Sequence, residues 1–295
     1  MNPSQKIAFL GTGLMGAPMC HCLLRTGFNL TVWNRSAEKA RGLEASGATV
    51  AETPVDAVRD AEILITMLKD GLAVEEVVFG QGVAEVLRPG AIHIDMSSIG
   101  LDEAVEHGRR HSIRGIGYLD APVSGGTKGA TSGELAIMVG GDADTFQSMI
   151  PVFEVMGRPT HVGPVGCGQL TKLANQVIVA ITIGAVSEAL ILADAGGADC
   201  GSVREALKGG FASSRILSEH GLRMVERNFE PGGPAKFQVK DLVNALKAAE
   251  RLNLDLPITK LLHRLFNDMV ESGGADLDHS GLITHLEKVS GSNHS

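Results

Sequence analysis

The first half of the chain alternates short apolar runs with amphipathic segments. Runs of this length that are hydrophobic at nearly every position are typical of parallel strands buried on both faces of a sheet. The amphipathic segments between them have the spacing of helices that pack on such a sheet. The apolar runs lie at residues 6–10, 29–33, 48–50, 62–67, 91–95, 135–141 and 159–162. We therefore predict an α/β domain with a doubly wound, mostly parallel sheet over residues 1–164.

The second half shows helical periodicity without strand signals. Its longest apolar segment begins at Gly166 and predicts an interdomain helix at about residues 168–195, roughly 40 Å long. Fifteen consecutive positions between Lys172 and Glu188 carry no charge. Because polar side chains interrupt this stretch and a membrane span needs ~20 predominantly apolar residues, we interpret it as a core helix.

Five more helices follow along the chain, and a loop rich in glycine and proline at residues 228–234 separates two of them. They are predicted at residues 203–208, 213–225, 239–252, 257–271 and 281–289. These patterns predict a doubly wound α/β domain that is followed by an all-α domain over residues 165–295 and joined to it by the long helix.

A glycine-rich turn comes directly after the first apolar run. Residues 11–16 read Gly-Thr-Gly-Leu-Met-Gly, and an amphipathic segment follows them. A strand before and a helix after are the context that a dinucleotide-binding G-x-G-x-x-G motif requires. Such a turn binds a pyrophosphate with backbone N–H groups at a helix N-terminus. We therefore predict a Rossmann-type domain whose cofactor contacts include Gly11, Thr12, Gly13, Leu14 and Met15.

The turn after the second run indicates which dinucleotide is bound. NAD-selective domains usually place an acidic residue there to bind the ribose 2′-hydroxyl. This chain has Asn34, Arg35 and Ser36 instead. An arginine with a neutral amide and a hydroxyl can hold a 2′-phosphate through charge-assisted hydrogen bonds. NADP is therefore the preferred cofactor and NAD a possible one, while a solvated turn arginine is the alternative.

Three further cofactor contacts are predicted at the carboxyl ends of strands, where doubly wound sheets bind their ligands. Met67 and Leu68 end the fourth run, and Ser98 follows the fifth. Core packing is the alternative for the first two residues. For Ser98 the alternative is N-capping of the helix that begins near Asp102.

A second glycine-rich turn, at Ser124, Gly125 and Gly126, could bind an anion. Its two glycine N–H groups and the serine hydroxyl can form a small nest suited to a carboxylate. An ordinary hairpin loop explains the same residues equally well.

Two lysines occupy unusual places near predicted helix starts, where the positive end of the helix disfavours a cation. Lys172 shares a helix face with Asn175, three residues on. Lys240 precedes Asp241 and needs an anionic neighbour, such as a bound ligand. The alternative for Lys172 is a side chain that reaches out to water.

The composition of the chain indicates which kinds of molecule it binds. Hydrophobic residues make up 44% of the chain and charged residues 20%, which is typical of a globular protein. The net charge of −8 gives no general attraction for nucleic acid or anionic membranes, so a small-molecule partner is favoured. Four cysteines give no disulfide framework, and the Cys20-His21-Cys22 triplet lacks a second pair for a metal site. We expect a cytoplasmic protein without a bound metal.

Four sequence blocks in order resemble the β-hydroxyacid dehydrogenases, a family that includes 3-hydroxyisobutyrate dehydrogenase. The resemblance covers nearly the whole chain, and its blocks are residues 11–16, 120–126, 168–175 and 240–241. It implies that Lys172 is the catalytic lysine, assisted by Asn175, and that Lys240 borders both substrate and nicotinamide. It also places the substrate carboxylate against Ser124, Gly125, Gly126, Asn175 and Gln176.

Within the family, residues 171–180 and 278–280 look most similar to tartronate semialdehyde reductases, also called 2-hydroxy-3-oxopropionate reductases. The resemblance therefore implies a small carboxylate-bearing substrate, tartronate semialdehyde with D-glycerate as its reduced form. The NADP site predicted at Arg35, where several relatives carry an acidic residue, favours the direction of reduction. The alternatives are 3-hydroxyisobutyrate dehydrogenase, glyoxylate or succinic semialdehyde reductase, and L-threonate dehydrogenase. A non-catalytic dinucleotide sensor is a remote alternative.

Hydride transfer to a carbonyl needs one acid/base group, and Lys172 can supply it. This role requires burial and a neighbouring cation, for which Lys240 is the candidate, to make the ammonium group a stronger acid than in water. The helical domain has many apolar faces for its size, so we also expect a homodimer or homotetramer.

Overall fold

The computed structural model describes residues 5–291 and divides into two compact units at Lys172/Leu173. The first unit is built on one nine-stranded sheet. Its strands are β1 Lys6–Leu10, β2 Asn29–Trp33, β3 Thr49–Val50, β4 Ile63–Thr66, β5 Ile92–Asp95, β6 Gly117–Asp120, β7 Val123–Ser124, β8 Leu135–Gly141 and β9 Gly157–Gly163. Its helices are α1 Gly16–Arg25, α2 Ala37–Arg41, α3 Pro54–Val58, α4 Gly71–Val74, α5 Val83–Val86, α6 Leu101–Ile113, α7 Gly126–Ser132 and α8 Ala143–Glu154.

The strand order in the sheet is β3-β2-β1-β4-β5-β6-β8-β7, and β9 pairs with β8. Strands β1 to β6 are mutually parallel, whereas β8 runs antiparallel to β6 and β7. The chain order reverses between β1 and β4, because β1 pairs with β2 on one side and with β4 on the other. Ligands of doubly wound sheets bind at the carboxyl ends of the strands beside such a reversal. Gly11 and Met67 directly follow these two strands.

The sheet is covered by apolar side chains on both faces, as its uninterrupted hydrophobic runs predict. Phe9 and Ile65 belong to a cluster with α1 and α8 residues such as Met19 and Phe153. Ala8 and Leu64, which point to the opposite face, pack with Val58 and Leu87. Period-two alternation along the strands therefore sends neighbouring residues into two separate cores.

The second unit consists of helices. They are α9 Cys167–Ala195, whose first residues belong to the first unit, then α10 Cys200–Lys208, α11 Arg215–Glu226, α12 Ala235–Arg251, α13 Pro257–Met269 and α14 Leu282–Ser290. Ala180, Ile183 and Leu190 of α9 are buried together with Leu242 and Phe266. The predicted fold class, a Rossmann-type sheet domain followed by a helical region, is confirmed.

Helix α9 is long and apolar enough to cross a membrane by length and composition alone. A single such helix is weak evidence for a span, because the core helix of a soluble protein has the same properties. Its second half contributes to the core of the helical unit. One third of the residues in its most apolar stretch are buried within the chain, so much of the apolar surface of this helix is not fully buried.

The unit division at Lys172/Leu173 lies eight residues beyond the predicted boundary at residue 164. The first turn of α9 is hydrogen-bonded to the end of β6, since backbone N–H groups of Gly166 and Gln169 donate to the Asp120 carboxylate. The start of the long helix is therefore part of the sheet unit, and Lys172 is the last residue of that unit.

Candidate active site

The glycine turn after β1 has the geometry that a dinucleotide requires. Gly11 has a φ of +107°, and a Cβ atom there would lie 2.3 Å from the carbonyl oxygen of Met67. By contrast, a Cβ at Gly13 would have no described atom within 4 Å, so this part of the turn faces open space. The hydroxyl of Thr12 is buried without a hydrogen-bond partner among the residues that the structure describes. The turn is thus tightly packed at Gly11 and open at Gly13, and it contains a buried hydroxyl with no described partner.

Asn34 supports this turn from the end of β2. Its side-chain oxygen accepts the Thr12 N–H at 3.1 Å, and its amide nitrogen donates to the Ser36 carbonyl at 3.1 Å. Arg35 and Ser36 are exposed. The structure therefore places the guanidinium and hydroxyl predicted to meet a 2′-phosphate in solvent, beside an asparagine that braces the phosphate-binding turn.

The loops after β4 and β5 are joined by hydrogen bonds. The Leu68 N–H donates to Ser97 Oγ at 2.9 Å, and the Ser97 N–H donates to Asp95 Oδ1 at 3.0 Å. Met67, Leu68 and Ser98 are half-buried, so all three retain exposed surface at this edge of the sheet.

The alternative role of Ser98 as a helix N-cap is wrong. Helix α6 begins at Leu101, and its N-cap is Gly100, whose N–H donates to the Glu103 carboxylate at 2.6 Å. Glutamate at the third helical position supplies this half of a capping box. The cap lies two residues beyond Ser98.

Behind these loops lies a cluster of buried polar side chains that the sequence did not reveal. Thr66 Oγ1 donates to Asp95 Oδ1 at 2.8 Å and lies 2.9 Å from His93 Nε2, and His93 Nδ1 lies 2.9 Å from His111 Nε2. Burial lowers the pKa of His93 well below its usual value and that of His111 to about 3, so both rings stay neutral at physiological pH. These fixed side chains hold the ends of β4 and β5 in register.

The second glycine-rich turn connects β7 to α7, which excludes the simple hairpin loop. Gly125 and Gly126 have φ angles of +135° and +62°, which are conformations that residues with a Cβ rarely adopt. Ser124 and Gly125 are half-buried, and Gly126 is exposed. The turn therefore has exposed surface beside its N–H and hydroxyl groups, as an anion site needs.

Lys172 lies in the second turn of α9, just beyond a turn that is held by two fully buried side chains. Asp120 accepts the Gly166 and Gln169 N–H groups, each at 2.8 Å. The Gln169 side chain donates to the Ser97 carbonyl at 2.7 Å and accepts the Ile99 N–H at 3.1 Å. The turn just before Lys172 is thus tied both to β6 and to the loop after β5.

The helix approaches the sheet so closely that only glycine fits at position 168. A Cβ atom there would lie 2.3 Å from the Asp120 carbonyl oxygen and 2.5 Å from that of Met138. Asp120, Gly168 and Gln169 all fall within the blocks that carry the family resemblance, but nothing in their spacing indicated which partners they bind.

Within the second unit, the polar residues of α9 and α12 form one hydrogen-bonded chain. Asn175 Nδ2 donates to Gln176 Oε1 at 2.9 Å, and Gln176 Nε2 donates to Asp241 Oδ2 at 2.8 Å. Lys240 Nζ lies 3.5 Å from Asp241 Oδ1. Asn175 and Gln176 are half-buried, so the chain has accessible surface for a ligand.

The argument that Lys240 needs an external anion because it starts a helix is wrong. Helix α12 begins at Ala235, so Lys240 is in its second turn, where the helix dipole acts weakly. Asp241 also supplies an anionic neighbour from the chain itself. A ligand contact at Lys240 must therefore rest on other evidence.

Comparison with known proteins decides the family. The model of the NAD-binding domain of 6-phosphogluconate dehydrogenase matches residues 6–171, which is more than half of the chain. The model of the NAD-binding domain of NADP-dependent 3-hydroxyisobutyrate dehydrogenase matches residues 166–286. This chain belongs to the 3-hydroxyisobutyrate dehydrogenase-like family.

Individual relatives are similar to this chain over almost its whole length. The 2-hydroxy-3-oxopropionate reductase of Escherichia coli (strain K12) is 46% identical over 96% of this chain and 97% of its own length. A 3-hydroxyisobutyrate dehydrogenase of Mycobacterium tuberculosis, solved with L-serine, is 32% identical with a TM-score of 0.88 over 96% of this chain and 99% of that one. Psf3, solved with NADP⁺ and 2-OPP, is 26% identical with a TM-score of 0.85 over 95% and 99%.

Membership in the 3-hydroxyisobutyrate dehydrogenase-like family makes the protein an NAD(P)-dependent oxidoreductase that acts on CH–OH groups. The turn after β1 fits its nicotinamide dinucleotide, since it combines open space at Gly13 with a Thr12 hydroxyl that has no described partner. The predicted family, enzyme class and type of cofactor are confirmed.

In this dehydrogenase, the ionisation of Asp120 should make the free energy of unfolding depend on pH. Burial raises the pKa of Asp120 from 3.8 to about 6, although two backbone N–H groups oppose the shift. Between pH 4 and 6 the folded state therefore keeps a proton that the unfolded state has released. The contribution of this group to the free energy of unfolding is full below pH 4 and falls by about 3 kcal/mol as the pH rises through 6.

We expect the Asp120→Asn variant to lack this pH-dependent contribution to the free energy of unfolding. Chemical denaturation of both proteins from pH 4 to 7 should show the wild type losing stability relative to the variant as the pH rises. A difference in the free energy of unfolding that is constant over this range would contradict the assignment.

Proposed function

We propose that this enzyme is an NADPH-dependent reductase that converts tartronate semialdehyde to D-glycerate, with Lys172 as the general acid. The observation that carries the choice of catalyst is the attachment of the first turn of α9 by Asp120 and Gln169, both fully buried. This attachment fixes the turn just before Lys172, which is itself half-buried. The choice of substrate is supported by the 46% identity to the reductase of Escherichia coli.

The preference for NADPH is supported by the exposed Arg35 at the end of β2, where no carboxylate is present to bind a 2′-hydroxyl. A relative of the same fold was solved with NADP⁺.

The reaction needs one hydride and one proton. Bound NADPH supplies the hydride to the carbonyl carbon of the aldehyde. Lys172 donates a proton from its ammonium group to the carbonyl oxygen, which becomes the new hydroxyl, and the neutral amine regains a proton from solvent. Asn175, three residues along the same helix, orients the substrate, and the family resemblance assigns Lys240 to the substrate and nicotinamide as well.

The carboxylate of the substrate is proposed to bind at the turn formed by Ser124, Gly125 and Gly126. Ser124→Ala should raise KM by about 10- to 100-fold and change kcat little, because a hydrogen bond to a charged group contributes roughly 1.5 to 3 kcal/mol in ground state and transition state alike. Ser148→Ala, at an exposed position of α8, is the matched control. A loss confined to kcat would show that Ser124 acts in the chemical step instead.

The substrate assignment is tested by following NADPH absorbance with four aldehydes: tartronate, methylmalonate and succinic semialdehydes, and glyoxylate. D-Glycerate, 3-hydroxyisobutyrate and L-threonate with NADP⁺ test the reverse direction. We expect the highest kcat/KM with tartronate semialdehyde. A higher value with another member of the panel would assign that substrate, and tight NADPH binding without any turnover would indicate a sensor.

We also propose that the enzyme acts in the cytoplasm as a homodimer or homotetramer. On α9, Ile178 and Leu192 are 66% and 77% exposed, and on α13 Ile258 is 56% exposed. Exposed apolar side chains on helices of one unit are typical of a surface that a second subunit covers.

Light scattering at micromolar concentration should therefore give a mass of at least twice 30.9 kDa. Ile178→Asp and Leu192→Asp should reduce this mass, whereas Ile113→Asp, at an exposed position of α6, should not. A monomeric wild type would contradict the proposal.

A further inference from the structure

Two histidines from distant parts of the sequence face each other in the helical unit. His220 lies on α11, and His279 lies in a short 3₁₀ turn, His279–Gly281, before α14. Their Nε2 atoms are 3.4 Å apart, and the rings meet edge to face with centroids 4.6 Å apart. Both side chains are half-buried, so solvent reaches the pair.

The separation of the two nitrogens is long for a hydrogen bond between them but suits a shared metal ion. Hydrogen bonds that N–H groups donate to oxygen are usually about 2.7 to 3.2 Å long, so 3.4 Å between two nitrogens is near the upper limit for such a bond. Two imidazole nitrogens that bind a tetrahedral zinc ion at about 2.05 Å lie roughly 3.3 Å from each other. The observed 3.4 Å therefore matches the edge of a zinc tetrahedron.

Asp278 orients one of these ligands from behind. Its Oδ1 lies 3.5 Å from His220 Nδ1, the ring nitrogen opposite the one that faces His279. In metal sites, a carboxylate that accepts the far N–H of a histidine fixes the ring and leaves the near nitrogen with a lone pair for the metal. At 3.5 Å the contact here is longer than a hydrogen bond, and metal binding would have to shorten it.

We propose that His220 and His279 form a binding site for a divalent transition metal ion such as Zn²⁺, with Asp278 as the positioning residue of His220. Donor atoms of all three residues lie within 4.8 Å of one another. Water molecules complete the coordination, because solvent reaches both rings.

Asp278 is better placed to orient than to bind the metal. Its Oδ1 accepts the N–H and hydroxyl of Ser280, and its Oδ2 accepts the N–H groups of Gly232 and Gly233 at 3.0 Å each. The lone pairs of the Asp278 carboxylate are therefore already in use.

The charge around the site permits a cation. Arg223 Nη1 lies 3.7 Å from Asp278 Oδ2, so this positive charge is paired with the carboxylate beside the histidines. Among divalent metal ions, copper, nickel and zinc bind imidazole well.

An ion here would connect α11 to the turn before α14. The loop that holds Asp278, through Gly232 and Gly233, leads directly into α12 and Lys240. Occupancy would therefore stabilise the part of the helical unit that precedes Lys240. Since a ligand that binds only the folded state stabilises it, the thermal midpoint should rise with the metal.

The test is calorimetric titration of Zn²⁺ into metal-free full-length protein that carries no polyhistidine tag, at pH 7.5. We expect one saturable site per chain. His220→Ala and His279→Gln should each weaken binding at least tenfold, and Asp278→Asn should weaken it less. His263→Ala, at a half-buried position of α13, should retain it.

A second measurement distinguishes loss of metal binding from loss of folding in the variants. Zn²⁺ should raise the thermal unfolding midpoint of the wild type and of His263→Ala, but not that of His279→Gln. Absence of saturable binding up to millimolar Zn²⁺ would overturn the proposal, and so would binding that survives both histidine substitutions, which would indicate an adventitious ion only.

Discussion

Lys172→Ala should lower kcat by about 10²- to 10⁴-fold, the range for loss of a general acid, while the affinity for NADPH changes little. The proton for the carbonyl oxygen then has to come from water, which is neither positioned nor as strong an acid as a lysine in this setting. The substitution leaves in place the hydrogen bonds that Asp120 and Gln169 make with Gly166 and Ser97 in and around the preceding turn. The variant should therefore fold normally.

The measurement is steady-state reduction of tartronate semialdehyde, together with NADPH binding followed by fluorescence. Lys247→Ala, an exposed lysine of α12, is the matched control and should retain wild-type turnover. If Lys172→Ala lost NADPH binding to the same extent as kcat, the lysine would serve the cofactor rather than the proton transfer.

Arg35→Asp should reverse the cofactor preference. The substitution removes a charge-assisted contact to the 2′-phosphate, worth roughly 1.5 to 3 kcal/mol, and adds a repelling carboxylate. The kcat/KM with NADPH should therefore fall at least 10- to 100-fold, while the new carboxylate can accept the 2′-hydroxyl of NADH and improve its use.

Both cofactors are compared in the same assay with wild type, Arg35→Asp and the control Arg41→Asp, which removes an equally exposed arginine six residues further on in α2. The control should keep the NADPH preference. Equal use of NADH and NADPH by the wild-type enzyme would refute the phosphate-binding role of Arg35.

The sheet unit was predictable because its strands are short, buried on both faces and separated by clear turn residues. The end of β1 at Leu10 follows directly from Gly11. The start of α12 was placed four residues too late, at residue 239 instead of Ala235. Lys236 and Phe237 in its first turn are exposed, so the apolar periodicity becomes visible only after them.

The contacts that anchor Lys172 could not be predicted from the sequence. Asp120 and Gln169 are separated by 49 residues, and their pairing depends on how α9 meets the end of β6. His220 and His279 are 59 residues apart, one on a helix and one in a short turn, so no sequence spacing indicates that they meet. By contrast, the glycine turn was predictable because it lies between a strand and a helix that follow each other along the chain. The bond from the Thr12 N–H to Asn34 was not predicted, since the sequence analysis assigned Asn34 to the cofactor.

The most direct test of Lys172 as a proton donor is the turnover number of Lys172→Arg with saturating NADPH and tartronate semialdehyde near pH 7. A guanidinium keeps the positive charge and can still bind a carboxylate, but it does not release its proton at this pH. We predict a kcat at least 100-fold below that of the wild type, with NADPH binding preserved. Turnover close to the wild-type value would show that Lys172 only binds the substrate, and that the proton comes from another group.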